Sequence, residues 1–132
     1  MITEEEIKLV SKSLEVEFYR YKRYNTPVTV VIFDTYCEHL NELLKTHIRK
    51  TDIYEKISDT KLVLILTHTE KEGALALIEK YTNEVKSVCP EIIKVGYSHV
   101  KPEDDLIEDV IKRVAISLKL ANEEFTNNII SI

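Results

Sequence analysis

Two short segments carry residue types that could recognise or transform a ligand. Arg49 offers a planar guanidinium, which stacks on flat bases and grips phosphate, and Asp52 offers a carboxylate that accepts N–H groups. A few residues later, Ser58-Asp59-Thr60-Lys61 forms a polar break between two apolar segments. A tight turn of this kind holds its side chains rigidly at one end of a sheet. The chemistry of these turn residues is therefore the main functional question.

The strands on either side of the turn fix its position. Residues 53–57 alternate between two faces of different character, which is typical of a strand with distinct sides. Leu62–Leu66 is an unbroken apolar run, as expected of a strand covered on both sides. The sequence therefore predicts a hairpin whose second strand lies in the middle of a sheet.

Other candidate sites have simpler explanations. The segment 19–24, YRYKRY, mixes bases with aromatics as single-strand binders do, but it also suits a helix end, where cations complement the dipole. The net charge of −5 gives no attraction to nucleic acid or anionic membranes. The histidines and cysteines lack zinc-site spacing, and two glycines are too few for a phosphate loop. We therefore predict no nucleic-acid partner, no metal and no cofactor.

The bulk properties are those of one soluble globular domain. The chain has 132 residues, of which 44% are apolar and 31% charged. Its first residues lack the apolar core of a signal peptide, and no run approaches the ~20 residues that span a bilayer. Cys37 and Cys89 are far apart and outside any CxxC pattern, so we expect them to be reduced and buried. These features predict a cytoplasmic protein without membrane insertion.

Hydrophobic periodicity predicts helices and strands along the whole chain. Thr3 and Glu6 form a capping box for the first helix, and Pro102 suits the first turn of the last one. The predicted helices are Thr3–Arg23, Cys37–Arg49, Glu70–Val88 and Pro102–Asn122, and the predicted strands are Val28–Phe33, Ile53–Ile57, Leu62–Leu66, Ile92–Ser98 and Asn128–Ile132. One hairpin with crossover helices predicts an α+β fold, a ferredoxin-like or palm-type mixed sheet of four or five strands packed by four helices.

Several strings and their order resemble the GGDEF domain of bacterial diguanylate cyclases. TDIYEKISDTKLVLIL (51–66) lines up without a gap on the family's SDLVARYGGDEFAVLL. EGALALIEK (72–80) is similar to EGALALAER, and VIKRVAISLKLAN (110–122) to LLRRADAALYRAK in the last helix. RYNTPVTVVIFD (23–34) and VGYS (95–98) resemble two of the family's strands. The resemblance implies a single GGDEF-like domain over 1–132, with an N-terminal helix at Thr3–Arg23 and a core at Val28–Ile130.

The resemblance also implies a reaction whose residues are largely replaced here. GGDEF cyclases join two GTP molecules into cyclic di-GMP with two Mg²⁺ ions, and Asp34 falls on their first metal-binding aspartate. Ser58 and Asp59 stand where the family has its two glycines. Thr60 and Lys61 replace its two acids. Because Mg²⁺ needs anionic oxygen ligands, a neutral threonine and a cationic lysine argue against metal binding.

Further parts of the family's active site are absent. Only 23 residues separate Asp34 from Ser58, on the order of 15 fewer than in the family, whose extra helix and loop carry the guanine-recognising residues. Tyr36 replaces a second acid, and Asn122 replaces a phosphate-contacting lysine. We therefore predict a non-catalytic signalling or scaffolding domain that binds another protein or a second copy of itself. Asp34 and residues 58–61 are then vestigial active-site positions.

An alternative function comes from the same resemblance. Arg49 and Asp52 match the RxxD of the family's inhibitory product site, which binds cyclic di-GMP, and Lys80 falls on an arginine that helps it. The alternative is therefore a cyclic di-GMP receptor. These two residues also have a purely structural explanation. Arg49 suits a helix C-terminus, and Asp52 is common at such a position because it bonds to the local backbone.

Overall fold

The protein is described by a computed structural model over residues 2–123 and 127–132, with four helices and five strands in that part of the chain. In chain order they are α1 (Glu4–Tyr24), β1 (Val28–Asp34), α2 (Glu38–His47), β2 (Ile53–Lys56), β3 (Lys61–Thr67), α3 (Lys71–Glu84), β4 (Lys94–His99), α4 (Ile107–Glu123) and β5 (Ile129–Ser131). The predicted order of elements and the α+β class are confirmed.

All five strands form one mixed sheet in the order β2-β3-β1-β4-β5. β5 runs parallel to β4, and the other neighbours are antiparallel. β3 lies between β2 and β1, and every residue of Leu62–Leu66 is buried. The predicted position of the hairpin's second strand inside the sheet is therefore confirmed.

Helices cover both faces of the sheet, which explains why its central strands are apolar on both sides. Phe18 of α1 and Val114 of α4 pack with Ile32 on one face. Leu40 of α2 and Ile78 of α3 pack with the opposite face of β1 and β3. None of the described helices has the length and apolar composition needed to cross a membrane.

The ends of α1 follow the sequence, whereas α4 begins later than predicted. Thr3 Oγ1 accepts from Glu6 N at 3.1 Å and Glu6 Oε1 accepts from Thr3 N at 2.8 Å, so the capping box forms. Pro102 does not open α4, which begins at Ile107. The Asp109 carboxylate, at the third position of α4, accepts from the backbone N–H groups of Asp105 and Leu106 just before the helix, as the acidic residue of a capping box does.

The prediction of reduced cysteines is wrong for this structure. Cys37, at the N-terminus of α2, and Cys89, after α3, are joined by a disulfide with 6.0 Å between their Cα atoms. Both side chains belong to the core under α2 and α3. Their approach depends on the packing of two helices on one sheet face, so the sequence separation of 52 residues gave no sign of it.

Candidate functional site

Arg49 and Asp52 form a closed ion pair just before β2. Arg49 Nε donates to Asp52 Oδ2 at 2.7 Å, and Arg49 Nη2 donates to Asp52 Oδ1 at 2.9 Å. The bond to Asp52 is the main cause that raises the pKa of Arg49 above its ordinary value. The side chain of Asp52 is fully buried, whereas 45% of the Arg49 side chain is exposed. Only the arginine of this pair therefore presents an open surface.

The same pair ties the chain to the end of β3. Asp52 Oδ1 accepts from the backbone N–H of Thr67 at 3.1 Å. Arg49 Nη2 donates to the carbonyl of Thr67 at 3.1 Å and to Thr69 Oγ1 at 2.7 Å. These contacts give Asp52 a structural role, because its oxygens are occupied by partners from its own chain.

Lys80 does not join the pair through a hydrogen bond or ion pair among the described residues. Its ammonium lies 5.9 Å from the ring centre of Tyr81 on α3. Tyr81 in turn is affected by the charges of the ion pair. Burial raises the pKa of Tyr81, the charge of Asp52 raises it further, and the charge of Arg49 lowers it. The charges of Arg49 and Asp52 thus act on Tyr81, and Lys80 lies over the ring of the same tyrosine.

The turn at residues 58–61 lies at the opposite end of β3. Ser58 Oγ accepts from Lys61 N at 3.1 Å, and Ile57 N donates to Lys61 O at 3.0 Å, so the turn is closed internally. Thr60 O accepts from Thr35 N at 2.8 Å, which fixes the turn beside the end of β1. The seven residues of β3 separate this turn from Thr67 by roughly 20 Å. The two candidate segments are therefore separate sites.

Asp34 ends β1 beside this turn, between two lysines. In the strand register Asp34 is opposite Lys61 on β3 and opposite Lys94 on β4. Directly opposed residues project from the same face of a sheet, with about 5 Å between their Cβ atoms. Asn122 of α4 donates to Asp34 Oδ2 at 3.3 Å. The sequence alone missed Lys94, because its place beside Asp34 depends on strand pairing.

These residues do not fit the magnesium ions used by GGDEF cyclases. Asp34 supplies one carboxylate, and its two strand partners supply ammonium groups. Among the described residues, no group of three or more histidine, cysteine or acidic side chains is arranged to hold a metal. A hard divalent cation needs several anionic oxygens, so Asp34 with lysines as its strand partners is a poor donor set for it.

A cavity of about 510 Å³ lies on the α4 side of Asp34. Its walls are mainly apolar and come from Ile2, Ala115, Ile116 and Leu118, while Lys119, Asn122 and Glu123 contribute polar atoms. Asp34 thus lies at a groove whose walls are mainly apolar.

Comparison with known proteins identifies the fold. No protein-family profile and no curated protein sequence matches the chain. The active GGEEF domain of a diguanylate cyclase from Vibrio cholerae matches with a TM-score of 0.76 and 17% identity, over 91% of this chain and 94% of that chain. The GGDEF domain of DgcB from Caulobacter crescentus, solved in complex with c-di-GMP, matches with a TM-score of 0.74 and 11% identity, over 94% of this chain and 88% of that chain.

A third structure has a protein bound. The diguanylate cyclase SiaD from Pseudomonas aeruginosa, solved in complex with its activator SiaC, matches with a TM-score of 0.77 and 13% identity, over 95% of this chain and 57% of that chain. At these identities the similarity is one of fold. The chain has the α+β fold of a GGDEF domain, as its sequence predicts.

Proposed function

We propose that this GGDEF-like chain is a non-catalytic signalling or scaffolding domain that acts in the cytoplasm by binding another protein or a second copy of itself. The main supporting observation is the position of Asp34, which lies between Lys61 and Lys94 in the strand register. This charge arrangement opposes the binding of a divalent cation, and the turn offers Thr60 in place of an acid. The fold is retained while the groups needed for phosphoryl chemistry are replaced.

A GGDEF fold without its catalytic groups can still bind other proteins. SiaD, of which 57% matches this fold, was solved with its protein activator. The described surface of this chain carries large exposed apolar side chains on α1, on α4 and beside β1, including Val16 at 59%, Ile116 at 51% and Tyr36 at 78% exposed. Such side chains supply contact area in protein interfaces.

Two measurements test this proposal. Incubation of the protein with GTP and Mg²⁺ or Mn²⁺, followed by chromatography of the nucleotides, should yield no cyclic di-GMP. Affinity capture from the native host should retain a protein that, once purified, binds the chain again in a saturable manner. If the partner is a second copy of the chain, light scattering should instead show self-association. A product peak would contradict the loss of catalysis. A strictly monomeric protein without a rebinding partner would contradict the interaction function.

The second candidate function is binding of cyclic di-GMP at Arg49, Asp52 and Lys80. Its supporting observation is the half-exposed guanidinium of Arg49, held by Asp52 in a fixed orientation. An oriented guanidinium loses little entropy when it stacks on a base or grips a phosphate. The full burial of Asp52 argues in the other direction, because that carboxylate is not accessible to a guanine.

Calorimetric titration with cyclic di-GMP distinguishes these arguments. A receptor should release heat at micromolar ligand and lose at least tenfold in affinity on Arg49→Ala, whereas the exposed Lys45→Ala leaves affinity unchanged. Each variant is first checked for folding by thermal melting, because Arg49 also stabilises the end of β3. Absence of heat at high micromolar ligand, or equal affinity in Arg49→Ala, would exclude this candidate.

A further inference from the structure

The outward face of α1 carries a stripe of exposed residues that no other described element covers. Leu9 and Val16 are 43% and 59% exposed. They are seven residues apart, so they lie two turns apart on the same side of the helix. Glu5 and Arg20 are exposed on this side as well, each four residues beyond one of the apolar residues. The opposite side of α1 is buried in the core through Val10, Leu14 and Phe18.

This stripe is complementary to its own reversed copy. A twofold axis midway between Lys12 and Ser13 would place Leu9 against the partner's Val16. The same axis would place Glu5 against the partner's Arg20, which pairs with Glu17 of its own helix at 3.1 Å and keeps 58% of its side chain exposed. Each contact forms twice, because an interface between identical chains repeats every pair on both sides of the axis. Two apolar contacts would thus be flanked by two ion pairs.

The charges favour this antiparallel arrangement over a parallel one. α1 begins with Glu4, Glu5 and Glu6 and has Lys22 and Arg23 in its last turn. A parallel pair would place acidic ends together and basic ends together, and like charges in contact are repulsive. An antiparallel pair opposes each acidic end to a basic end and also opposes the two helix dipoles.

We propose that α1 mediates an antiparallel homodimer of this protein, with its axis between Lys12 and Ser13. The inference rests on the proposed function, of which self-association is one form. Lys12 lies next to the axis and is exposed, so its aliphatic stem can cover the apolar contact while its ammonium stays in water. One helix pair buries less surface than a typical stable interface, so the dimer should be reversible and dependent on concentration.

Charge reversals measured by sedimentation velocity over a concentration series test the orientation. Glu5→Arg and Arg20→Glu should each weaken dimerisation at least tenfold, because each places like charges together twice. The double variant should dimerise about as well as the native chain, because the ion pairs return with inverted polarity. Glu15→Arg, an equal charge change at an exposed position outside the stripe, should leave dimerisation unchanged. Thermal melting of every variant checks that the fold is intact.

Oxidative cross-linking gives an independent readout. A mixture of the Leu9→Cys and Val16→Cys chains should form a covalent heterodimer, whereas either chain alone should not. Efficient cross-linking of Leu9→Cys with itself would indicate a parallel pair and overturn the proposal.

The outcomes separate this inference from the function on which it rests. A dimer that is insensitive to both charge reversals overturns the α1 interface but leaves self-association intact. A chain that stays monomeric at every concentration overturns the dimer, and the interaction function then depends on a rebinding partner protein.

Discussion

Asp34 and Lys61 lie directly opposite each other at the paired ends of β1 and β3. Lys94 occupies the equivalent position on β4, on the other side of Asp34. Asp34 is therefore flanked by two lysines in the strand register, of which Lys94 donates through Nζ to Asn128 Oδ1 at 2.8 Å. Where a GGDEF cyclase needs negative charge to hold metal ions, this chain has a single aspartate with a lysine opposite it on each neighbouring strand. The charge beside Asp34 can be changed by substitution, so its effect on metal binding can be measured.

The double variant Thr60→Asp/Lys61→Glu should acquire binding of a divalent cation. The two substitutions add carboxylates beside Asp34 and remove one ammonium group, which creates the hard oxygen ligands that such ions require. We expect saturable Mn²⁺ binding by electron paramagnetic resonance in this variant and none in the native chain.

The control for this variant makes the same charge change elsewhere. Lys45→Glu/Thr46→Asp alters two exposed residues of α2 and should bind no Mn²⁺. Neither variant should form cyclic di-GMP, because the short connection of 23 residues between Asp34 and Ser58 remains. Equal Mn²⁺ binding by the native chain would contradict the electrostatic argument.

Gly96→Ala should destabilise the protein strongly. A Cβ atom at this position would lie 2.4 Å from the backbone N and 2.7 Å from the Cα of Leu118 on α4. The backbone of a helix cannot move aside locally, so α4 would have to shift from β4 at a cost of about 3 kcal/mol. Urea denaturation followed by circular dichroism measures the loss in the free energy of unfolding.

The second glycine provides the matched control. A Cβ atom on Gly73, inside α3, would lie 3.4 Å from Thr69 Cγ2, an ordinary contact. Gly73→Ala should therefore stabilise the protein by about 0.5–1 kcal/mol through its higher helix propensity. Equal effects at the two glycines would refute the close approach of β4 and α4.

Asp52→Ala should cost about 1–3 kcal/mol of unfolding free energy. The substitution removes a fully buried carboxylate, leaves Arg49 without its partner and leaves the N–H of Thr67 without its acceptor. Asp59→Ala, at an exposed turn position, should change the unfolding free energy by less than about 0.5 kcal/mol. Chemical denaturation compares the two, and a loss below about 1 kcal/mol at Asp52 would rule out the structural role.

Removal of the disulfide should lower stability without changing the fold. The bond between Cys37 and Cys89 closes a loop of 52 residues, which restricts the unfolded chain by about 4 kcal/mol. Cys37→Ala/Cys89→Ala should reproduce the midpoint of the reduced native chain in urea denaturation, and reductant should have no further effect on the variant. A native chain whose midpoint is unaffected by reductant would argue against the bond.

The disulfide also bears on where the protein works. Structural disulfides are rare in a reducing cytosol. If the proposed cytoplasmic location is right, alkylation of the protein in intact cells should trap both thiols free. Protection of both thiols from alkylation would contradict that location.

Stability should fall at high pH partly because of Tyr54. Burial, reinforced by the charges of Glu38 and Glu42, raises the pKa of Tyr54 to about 12 from the ordinary 10.0. Above pH 10 the unfolded chain loses this phenolic proton while the folded chain retains it. The stabilising contribution of Tyr54 is therefore fully present below pH 10 and is lost progressively as the pH rises to about 12.

The Tyr54→Phe variant tests this assignment. It should lose less unfolding free energy between pH 9 and pH 11 than the native chain, although the missing hydrogen bond to Asn41 costs about 1 kcal/mol at neutral pH. Tyr36→Phe is the control, because Tyr36 is 78% exposed, and it should retain the native pH profile. Identical profiles for all three chains would exclude Tyr54 as the cause.

Much of the fold could be predicted from the sequence because its signals are local. The capping box of Thr3 and Glu6, the alternation of residues 53–57 and the apolar run Leu62–Leu66 each depend on neighbours in the chain. The sequence alone also showed that residues 58–61 replace the family's glycines and acids. Hydrophobic periodicity and turn chemistry act within a few residues, so they determine element type and order.

Only the tertiary structure decided which distant residues meet. Lys94 lies opposite Asp34 through strand pairing, Cys89 meets Cys37 through helix packing, and Asp52 is buried because β3 ends beside it. Pro102 shows the same limit, because α4 begins only at Ile107, where Asp109 accepts from the N–H of Leu106. The sequence by itself determined which chemical groups are present. Their neighbours, and hence their charge environment, followed from packing across the sheet.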